Sequence, residues 1–408
     1  MEKLLITDLD LKDKKVLMRV DFNVPLTDAD KISDDTRIKA ALQSIKYVLD
    51  NNGALILMSH LGRPKGKKDP KLSLKIVAKR LSDLLGLDVK MAPDSVGPEV
   101  ESLAKNLKPK EVLLLENLRF HEAETKPEKD PNFAKSLSSL GDIYINDAFG
   151  TAHRKHSSTY TITEYFPKKS LMGFLLKKEI SFLGKAIKNP KRPFYAIVGG
   201  KKISTKIGVI DSLIEKVDAI FIGGGMSYTF LKALNLSVGK SIYEEDFISE
   251  AQKIMKKCDE KKVKLHLPLD IVVADEFNND AKTEIINTDE NIPDNFEGMD
   301  IGPKTIKEFS KLLTDAKTIL WNGPLGVFEF NNFAIGTNEI AKAISKINCI
   351  SIVGGGDSIA AINKLGIADK FSHLSTGGGA SLAYLEFGTL PGIEALSEKE
   401  KRRFRVSY

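Results

Sequence analysis

The sequence predicts an α/β protein of two Rossmann-like domains, each a parallel sheet flanked by helices, joined by a hinge helix. Its 408 residues exceed what one hydrophobic core normally supports and suit two domains of about 200 residues each. Short Val/Ile/Leu-rich runs without polar alternation are typical of strands buried on both faces of a sheet. Because these runs alternate with longer segments of helical periodicity, repeated strand–helix–strand units are expected.

Ten apolar runs are the strand candidates, four in the first part of the chain and six in the second. They are residues 15–20, 54–58, 112–115, 142–145, 194–198, 218–222, 263–266, 270–274, 318–321 and 349–353. Helical patterns lie between them at 72–85, 205–216 and 357–364. This order along the chain predicts one sheet in each domain.

One further helical pattern, at 173–190, is expected to connect the domains. Phe174 and Ile187 belong to its apolar periodicity, and Asn189-Pro190 ends it. We therefore expect a first domain at 1–172, an interdomain helix and hinge at 173–190, a second domain at 191–391 and a tail at 392–408. The tail is basic and is expected to return to the first domain.

Charge and composition argue against several functions. The net charge of +6 comes with scattered lysines and no interleaved aromatic residues, so a nucleic-acid-binding surface is not expected. No apolar run reaches the roughly 20 residues that span a membrane, and the charged N-terminus lacks the apolar core of a secretory signal. Cys258 and Cys349 are expected to be free thiols, which predicts a reducing, cytoplasmic location.

The arginines are distributed unevenly. Only ten of the 61 basic residues are arginine; six of them fall between Arg19 and Arg154, and none falls between Arg192 and Arg402. Arginine can bind an oxyanion through two parallel hydrogen bonds. The first domain is therefore expected to bind an anion through arginine, and the second to use glycine backbone, lysine and acidic residues.

Polar residues and glycines follow the strand candidates directly. Because ligands of open α/β sheets bind beyond the carboxyl ends of the strands, each domain is expected to present one polar edge. In the first domain these residues are Asp21, Asn23, His60, Arg63, Arg119 and Asp147, with Arg37 and Arg154 as further candidates. In the second they are Gly199, Gly200, Gly223–Gly225, Asn322, Gly323 and Gly354–Gly356.

The common nucleotide-binding fingerprints are absent from the sequence. The Gly-Lys-Ser at 239–241 has Leu234 where a P-loop requires glycine, and no Gly-x-Gly-x-x-Gly occurs. Glycine triplets can still expose backbone N–H groups to phosphate where a helix begins. In the segment 351–360, SIVGGGDSIA, Asp357 either caps such a helix or meets a Mg²⁺ carried by a nucleotide.

Together these features predict a small-molecule kinase, with one domain for a small multiply anionic substrate and the other for a nucleotide with Mg²⁺.

Nine segments closely resemble the 3-phosphoglycerate kinase family, in the same order and over nearly the whole chain. They are VLMRVDFNVP, MSHLGRPKG, LLLENLRFHEAE, YINDAFGTAHRKHSS, IVGGKKISTKI, GGGMSYTFLKA, LWNGPLGVFE, VGGGDS and STGGGASL with LPGIEAL.

The resemblance implies reversible phosphoryl transfer between 1,3-bisphosphoglycerate with MgADP and 3-phosphoglycerate with MgATP. It implies that the domains close about a hinge and that charge stabilisation carries the rate without a covalent intermediate. It further implies a monomer that acts in glycolysis and gluconeogenesis, with small-molecule substrates and without nucleic-acid or membrane partners.

The resemblance also implies roles for individual residues. The substrate would be bound by Asp21, Asn23, Arg37, His60, Arg63, Arg119 and Arg154, with Arg37 nearest the transferring phosphoryl group. The nucleotide would be bound by Lys202, Lys206, Gly223, Gly224, Gly298, Pro324, Glu329, Gly355, Gly356, Asp357 and Ser358, with Asp357 meeting Mg²⁺. Transfer itself would depend on Arg37, Lys202, Lys206, Gly378 and Gly379. The two glycines belong to the triplet Gly377–Gly379. Lys201 stands where a small residue is usual, which leaves the register between Lys201 and Lys202 open.

Two alternative hypotheses apply to a protein with this fold. Another small-carboxylate, acyl-phosphate kinase would use a different acceptor. A non-catalytic nucleotide-binding protein on this fold would be expected to lack the arginines or Asp357, and this sequence contains them.

Overall fold

The computed structural model describes residues 2–27 and 31–400, which form two compact units. The first unit contains the described residues up to Ile180 together with those from Thr389 onward, and the second contains Ser181–Gly388. The last part of the expected tail, 401–408, lies outside the described residues. Cys258 and Cys349 are free thiols, as expected. Within the described ranges, no helix is both long and apolar enough to cross a membrane.

A six-stranded parallel sheet forms the centre of the first unit, in the order β3-β4-β2-β1-β5-β6. Its strands are β1 (Lys15–Arg19), β2 (Ala54–Met58), β3 (Val89–Met91), β4 (Val112–Leu114), β5 (Ile143–Asn146) and β6 (Ser170–Met172). The flanking helices are α1 (Thr36–Asp50), α2 (Lys75–Leu85), α3 (Pro98–Asn106) and α4 (Asn132–Ser138). Strand β2 is buried along its whole length, as its non-alternating apolar run predicts.

A second six-stranded parallel sheet forms the centre of the second unit, in the order β15-β14-β13-β7-β8-β9. Its strands are β7 (Phe194–Val198), β8 (Ala219–Ile222), β9 (Lys264–His266), β13 (Thr318–Asn322), β14 (Ile350–Gly354) and β15 (His373–Leu374). The helices of this unit are α6 (Ile207–Ile214), α7 (Met226–Ala233), α8 (Ile248–Lys261), α9 (Pro303–Leu312), α10 (Ile335–Ile344), α11 (Gly356–Lys364) and α12 (Gly379–Phe387). The two parallel sheets confirm the predicted fold class.

A small antiparallel sheet in the second unit departs from the prediction. It contains β10 (Asp270–Ala274), β11 (Thr283–Asn287) and β12 (Glu297–Ile301), in the order β11-β10-β12. The expectation that run 270–274 joins the parallel sheet is therefore wrong. Only residues 267–269 separate β9 from β10. A crossover between two parallel strands needs a dozen or more residues. The three-residue link is therefore too short to place β10 beside β9 in the same direction.

Helix α5 (Phe174–Lys188) lies within the stretch predicted as the connecting helix. The compact units divide inside it, between Ile180 and Ser181. Its N-terminus is held by Asp147, which follows β5 and accepts a hydrogen bond of 3.1 Å from the backbone N–H of Leu176. Burial raises the pKa of Asp147 to about 6.

The described part of the tail packs within the first unit, beside the N-terminal residues. The N–H of Leu4 donates to the carbonyl of Ser397 at 2.8 Å, and the N–H of Ser397 donates to Ser170 at 3.0 Å. Helix α13 (Pro391–Glu394) brings the N–H of Gly392 within 2.8 Å of the Ala152 carbonyl. The chain therefore returns to its first unit before it leaves the described region.

Candidate active site

The carboxyl edge of the first unit's sheet carries the expected anion-binding residues. Asp21 and Asn23 follow β1, and His60 follows β2. Arg119 follows β4, and Arg37 lies in the first turn of α1. We define the arginine cluster as Asp21, Asn23, Arg37, His60, Arg63, Arg119 and Arg154.

Hydrogen bonds join several members of the arginine cluster across different strand ends. Arg37 Nη1 donates to Asp21 Oδ2 at 2.9 Å. Asn23 Oδ1 accepts from the N–H of Gly62 at 2.8 Å, and the carbonyl of Gly62 accepts from Arg119 Nη1 at 2.9 Å. Gly62 has a φ of +62°, a left-handed conformation that favours glycine. Its backbone thus links Asn23 to Arg119.

Arg63 and Arg154 are exposed, and neither takes part in the hydrogen bonds that join Asp21 to Arg37 and Asn23 to Arg119. The side chain of Arg63 forms no hydrogen bond or ion pair with any residue in the described ranges. Arg154 Nε donates to His153 Nε2 at 3.1 Å. Both arginines therefore keep donors available to a ligand from solvent.

A fully buried arginine to which the sequence analysis assigned no role, Arg19, lies behind the cluster at the end of β1. Its Nη2 is 3.2 Å from His60 Nδ1 and 3.7 Å from Oε1 of the buried Glu124. Burial and the charge of Arg19 hold the pKa of His60 well below its usual value. The sequence signal that could have indicated a role for Arg19 is its position as a charged residue within the apolar run VLMRV.

The electrostatics of the arginine cluster favour a multiply anionic ligand. Burial, together with the charge of Arg19, lowers the pKa of Arg119 to about 10 and that of His156 to about 3. Both shifts express the cost of burying positive charge beside other positive charge. Arg119 Nε and His156 Nδ1 are buried without a hydrogen-bond partner among the described residues. Because such atoms are rare in native structures, they indicate a site for a polar ligand.

In the second unit, glycines at the ends of β7, β8 and β13 bring three backbone segments into direct contact. The N–H of Gly200 donates to the Pro324 carbonyl at 2.9 Å, and the N–H of Gly224 donates to the Leu325 carbonyl at 2.9 Å. A Cβ on Gly199 would lie 2.2 Å from the Pro324 carbonyl oxygen. Gly199 is therefore required by this close packing.

Apolar side chains surround the glycine turn after β8. A Cβ on Gly223 would meet Leu325 Cδ2 at 2.5 Å, and one on Gly225 would meet Ile242 Cγ2 at 3.1 Å. A Cβ on Gly298, in β12, would lie 2.1 Å from the hydroxyl of Tyr228. Sequence reasoning found the glycines but missed Leu325, Ile242 and Tyr228, whose proximity depends on the antiparallel sheet and the loop after β13.

The lysines of the second unit differ in burial. Lys206 is half-buried and its Nζ donates to Asn322 Oδ1, at the end of β13. Burial lowers the pKa of Lys206 to about 8, although the charge of Asp357 opposes this shift. Lys201 and Lys202 are both exposed, and their side chains form no ion pair with any described residue. The structure therefore leaves the register between Lys201 and Lys202 open.

Two helix N-termini, those of α11 and α12, face open space with glycine before them. Gly355 has a φ of +90° and Gly378 a φ of +52°. A Cβ on Gly356 or Gly378 would meet no heavy atom within 4 Å. Gly379 is the first residue of α12 and is exposed. Free backbone N–H groups and the positive end of the helix dipole suit phosphate at such positions.

Asp357 and Ser358, in the first turn of α11, have different environments. The Asp357 side chain is exposed and forms no hydrogen bond with a described residue. Ser358 is buried, and its hydroxyl accepts a hydrogen bond of 3.0 Å from the N–H of Gly323. Glu329 is exposed and Pro324 is half-buried.

The donor set at α11 fits a Mg²⁺ ion shared with a nucleotide. Mg²⁺ prefers oxygen ligands and is commonly held by one or two carboxylates together with substrate phosphates. The exposed carboxylate of Asp357 is such a ligand, beside the open N-terminus of α11. Within residues 2–27 and 31–400, no group of three or more His, Cys, Asp or Glu side chains is placed to hold a metal ion alone.

Comparisons with known proteins agree on one family. The family model described as phosphoglycerate kinase matches residues 6–387. The chain is 54% identical over 394 residues to a cytosolic phosphoglycerate kinase of Triticum aestivum, covering 96% of this chain and 97% of that protein. It is 53% identical over 399 residues to a phosphoglycerate kinase of Moorella thermoacetica, covering 98% of this chain and 100% of that protein.

Solved structures show the same likeness. The phosphoglycerate kinase of Coxiella burnetii matches with a TM-score of 0.84 and 41% identity, covering 96% of this chain and 98% of that chain. The phosphoglycerate kinase of Pyrococcus horikoshii matches with a TM-score of 0.84 and 32% identity over the same shares of both chains.

Proposed function

The chain belongs to the phosphoglycerate kinase family, and we infer that it transfers a phosphoryl group reversibly between 1,3-bisphosphoglycerate with ADP and 3-phosphoglycerate with ATP. It is thus a phosphotransferase with a carboxyl group as acceptor, in glycolysis and gluconeogenesis. The structural observation that best supports this activity is the contrast between the two sheet edges. One carries arginines around β1 and β2, and the other carries glycine turns and two open helix N-termini.

We propose that the arginine cluster binds 3-phosphoglycerate. Its excess of guanidinium groups suits a ligand with both a phosphate and a carboxylate, since arginine binds either through parallel hydrogen bonds. Arg119 and the exposed Arg63 and Arg154 supply donors, whereas Asp21 and Asn23 supply acceptors for hydroxyl groups. Arg37 stabilises the charge of the transferring phosphoryl group.

We propose that the glycine turns of the second unit bind the nucleotide. Gly223, Gly224, Gly298 and Pro324 border the base, and Glu329 binds the ribose. Lys202 and Lys206 reach the phosphates, which also meet the N-terminus of α11 at Gly355, Gly356 and Ser358. Gly378 and Gly379, at the N-terminus of α12, offer N–H groups to the group in transfer.

The proposed mechanism needs no general base and no covalent intermediate. The carboxylate of 3-phosphoglycerate is already a nucleophile, so the protein acts by positioning the reactants and by stabilising charge. The two sets of binding residues belong to different units, and we propose that closure about a hinge within α5 brings the reactants together.

We propose that Asp357 is the protein ligand of the Mg²⁺ that accompanies the nucleotide. The ion supplies neutralisation of phosphate charge when it is bound. Lys206 and the N–H groups of α11 contribute positive charge of the protein to the same phosphates. The proposed role of Asp357 is therefore to hold the ion beside these groups.

We propose a substrate domain at 1–172, a hinge helix at 173–190, a nucleotide domain at 191–391 and a tail at 392–408 that belongs with the substrate domain. We further propose a cytoplasmic monomer with small-molecule substrates and without nucleic-acid or membrane partners. Light scattering of the purified protein tests the monomer, because a mass near 90 kDa, twice the 45.0 kDa of one chain, would contradict it.

The activity is tested by ATP-dependent phosphorylation of 3-phosphoglycerate, coupled to NADH oxidation through glyceraldehyde-3-phosphate dehydrogenase. We expect turnover that requires Mg²⁺ and that disappears when 3-phosphoglycerate is replaced by glycerate, which lacks the phosphate. Folded protein that turns over another carboxylate instead would favour a different acyl-phosphate kinase. Folded protein that binds nucleotide but turns over none would favour a non-catalytic role.

A further inference from the structure

The buried Arg19 side chain is hydrogen-bonded through its Nε, Nη1 and Nη2 atoms. Its Nε donates to Ser158 Oγ at 2.8 Å, its Nη1 donates to the Val20 carbonyl, and its Nη2 lies 3.2 Å from His60 Nδ1. Arg19 has no exposed surface, and His60 is only 3% exposed. Arg19 therefore cannot bind a ligand directly, and any effect on the reaction must act through its neighbours.

The contact between Arg19 and His60 determines which ring nitrogen carries the proton. Arginine has five N–H donors and no acceptor. At 3.2 Å from Arg19 Nη2, His60 Nδ1 must accept, so it cannot carry a hydrogen. The ring is then neutral with its proton on Nε2. No other hydrogen-bond partner of the His60 ring occurs among the described residues, which leaves Nε2–H free to donate.

Glu124 balances the buried charge of Arg19. Its Oε1 lies 3.7 Å from Arg19 Nη2 and accepts from Ser158 Oγ at 2.7 Å. Its Oε2 accepts from the N–H of Ser158 at 3.1 Å. Burial raises the pKa of Glu124, whereas the charge of Arg19 and the hydrogen bonds from Ser158 oppose this shift. All three contacts come from donors, the arrangement that an ionised carboxylate requires. A buried guanidinium without such a partner would be strongly destabilising.

The same network holds the ends of several strands together. Ser158 Oγ accepts from Arg19 and donates to Glu124, and the Ser158 carbonyl accepts from Tyr144 in β5 at 2.8 Å. The carbonyl of Glu124 accepts from the N–H of Ser157 at 2.9 Å. Arg19 ends β1 and His60 follows β2, so the network reaches three neighbouring strands of the sheet.

We propose that Arg19 is a positioning residue that fixes His60 as the Nε2–H tautomer, with Glu124 as its buried countercharge. This inference rests on the proposed binding of 3-phosphoglycerate by the arginine cluster. Carboxylate and phosphate oxygens are acceptors, so an Nε2–H group can bind them. The opposite tautomer would direct a lone pair at them instead.

The first test is the tautomer of His60 in the wild-type protein without ligand. Nitrogen-15 NMR of histidine-labelled protein distinguishes a protonated from an unprotonated ring nitrogen, and His60→Gln assigns the signal. We expect an unprotonated Nδ1 and a protonated Nε2 near pH 7. A protonated Nδ1 would overturn the inference, whatever the activity of the protein.

The second test removes the buried ion pair as a whole, because Arg19→Met alone leaves the buried Glu124 without the positive charge of Arg19. In Arg19→Met/Glu124→Gln, the Nδ1 donor is lost, so we expect the His60 signals to shift towards a mixture of tautomers. We also expect the KM for 3-phosphoglycerate to rise by about 10–100-fold, as for loss of a hydrogen bond to a charged group, with the KM for ATP unchanged. Arg192→Met, which breaks the exposed Arg192–Asp218 pair, is the matched control. It should change neither the His60 signals nor the KM for 3-phosphoglycerate.

The outcomes separate this inference from the proposed function. A double variant that keeps the wild-type tautomer and KM would refute the role of Arg19 even if the enzyme is fully active. An inactive wild-type protein with a protonated Nε2 would contradict the proposed function but support the tautomer. If the double variant fails to fold, the wild-type tautomer alone decides.

Discussion

Arg37 Nη1 lies 2.9 Å from Asp21 Oδ2, and this pair joins the first turn of α1 to the end of β1. The Asp21 side chain is 8% exposed, whereas that of Arg37 is 32% exposed. Only one of the five N–H donors of Arg37 is used in the pair. Asp21 thus orients a guanidinium group whose other donors remain available.

Arg37→Met is expected to lower kcat for 3-phosphoglycerate phosphorylation by roughly 100-fold or more, because a charge-stabilising donor is lost from the transition state. The free energy of unfolding should change by about 1 kcal/mol or less, as for a partly exposed ion pair. The coupled assay and urea unfolding measure the two effects, with Arg192→Met as the control. A variant with wild-type kcat would remove Arg37 from its proposed role.

Nucleotide affinity is expected to fall as the pH rises through about 8. Burial lowers the pKa of Lys206 to about 8 in the free protein, and only the protonated side chain attracts phosphate. Bound phosphate raises this pKa again, so binding above pH 8 requires uptake of a proton. The Kd for ADP, measured by calorimetry, should therefore increase about tenfold between pH 7 and pH 9.

Lys206→Arg provides the control for this pH dependence. Its guanidinium stays charged over the whole range, so its Kd for ADP should vary little between pH 7 and pH 9. An equally flat profile for the wild-type protein would show that Lys206 is not the titrating group that binds phosphate.

Asp357→Asn is expected to raise the KM for MgATP at least about tenfold, because an amide is a much weaker Mg²⁺ ligand than a carboxylate. The KM for 3-phosphoglycerate should stay unchanged, since Asp357 belongs to the second unit and the arginine cluster to the first. Asp369→Asn, at an exposed aspartate in the same unit, is the matched control. Equal KM values for MgATP in both variants would argue against Asp357 as the Mg²⁺ ligand.

Gly199→Ala is expected to destabilise the second unit by roughly 1–3 kcal/mol, as for other overpacked sites. Its new Cβ would lie 2.2 Å from the Pro324 carbonyl oxygen, so the backbone must move. Gly356→Ala, where a Cβ meets no heavy atom within 4 Å, is the control. Trp321, the single tryptophan, is buried at the end of β13 and reports unfolding of this unit by fluorescence. Equal unfolding midpoints for the two variants would contradict the close packing.

Closure is expected when both substrates are bound. Small-angle scattering should show a smaller radius of gyration with 3-phosphoglycerate and a non-hydrolysable MgATP analogue together than with either ligand alone. The physical reason is that the proposed binding residues belong to different units, so transfer requires the ligands to approach each other. Unchanged scattering with both sites saturated would contradict hinge closure.

Much of the proposed site was predictable from positions directly after strands. Asp21, His60 and Gly199 each follow an apolar run, and parallel strands place their carboxyl ends at one edge of a sheet. Local pattern could not predict Asn322 as the partner of Lys206 or Leu325 beside Gly223, because these residues are far apart in the sequence. The sequence analysis missed β3, β6, β11, β12 and β15. Of these, β3 and β15 have only three and two residues, too few to show a periodic pattern.

The sequence by itself determined the alternation of strands and helices, the placement of glycine at strand ends and the concentration of arginine in the first part of the chain. These features follow from local periodicity and from residue chemistry, which need no knowledge of distant contacts. Only the tertiary structure decided that β10 runs antiparallel and that Arg19 is buried between His60 and Glu124. Strand pairing and the burial of a charge both depend on which distant segments meet, so no local pattern determines them.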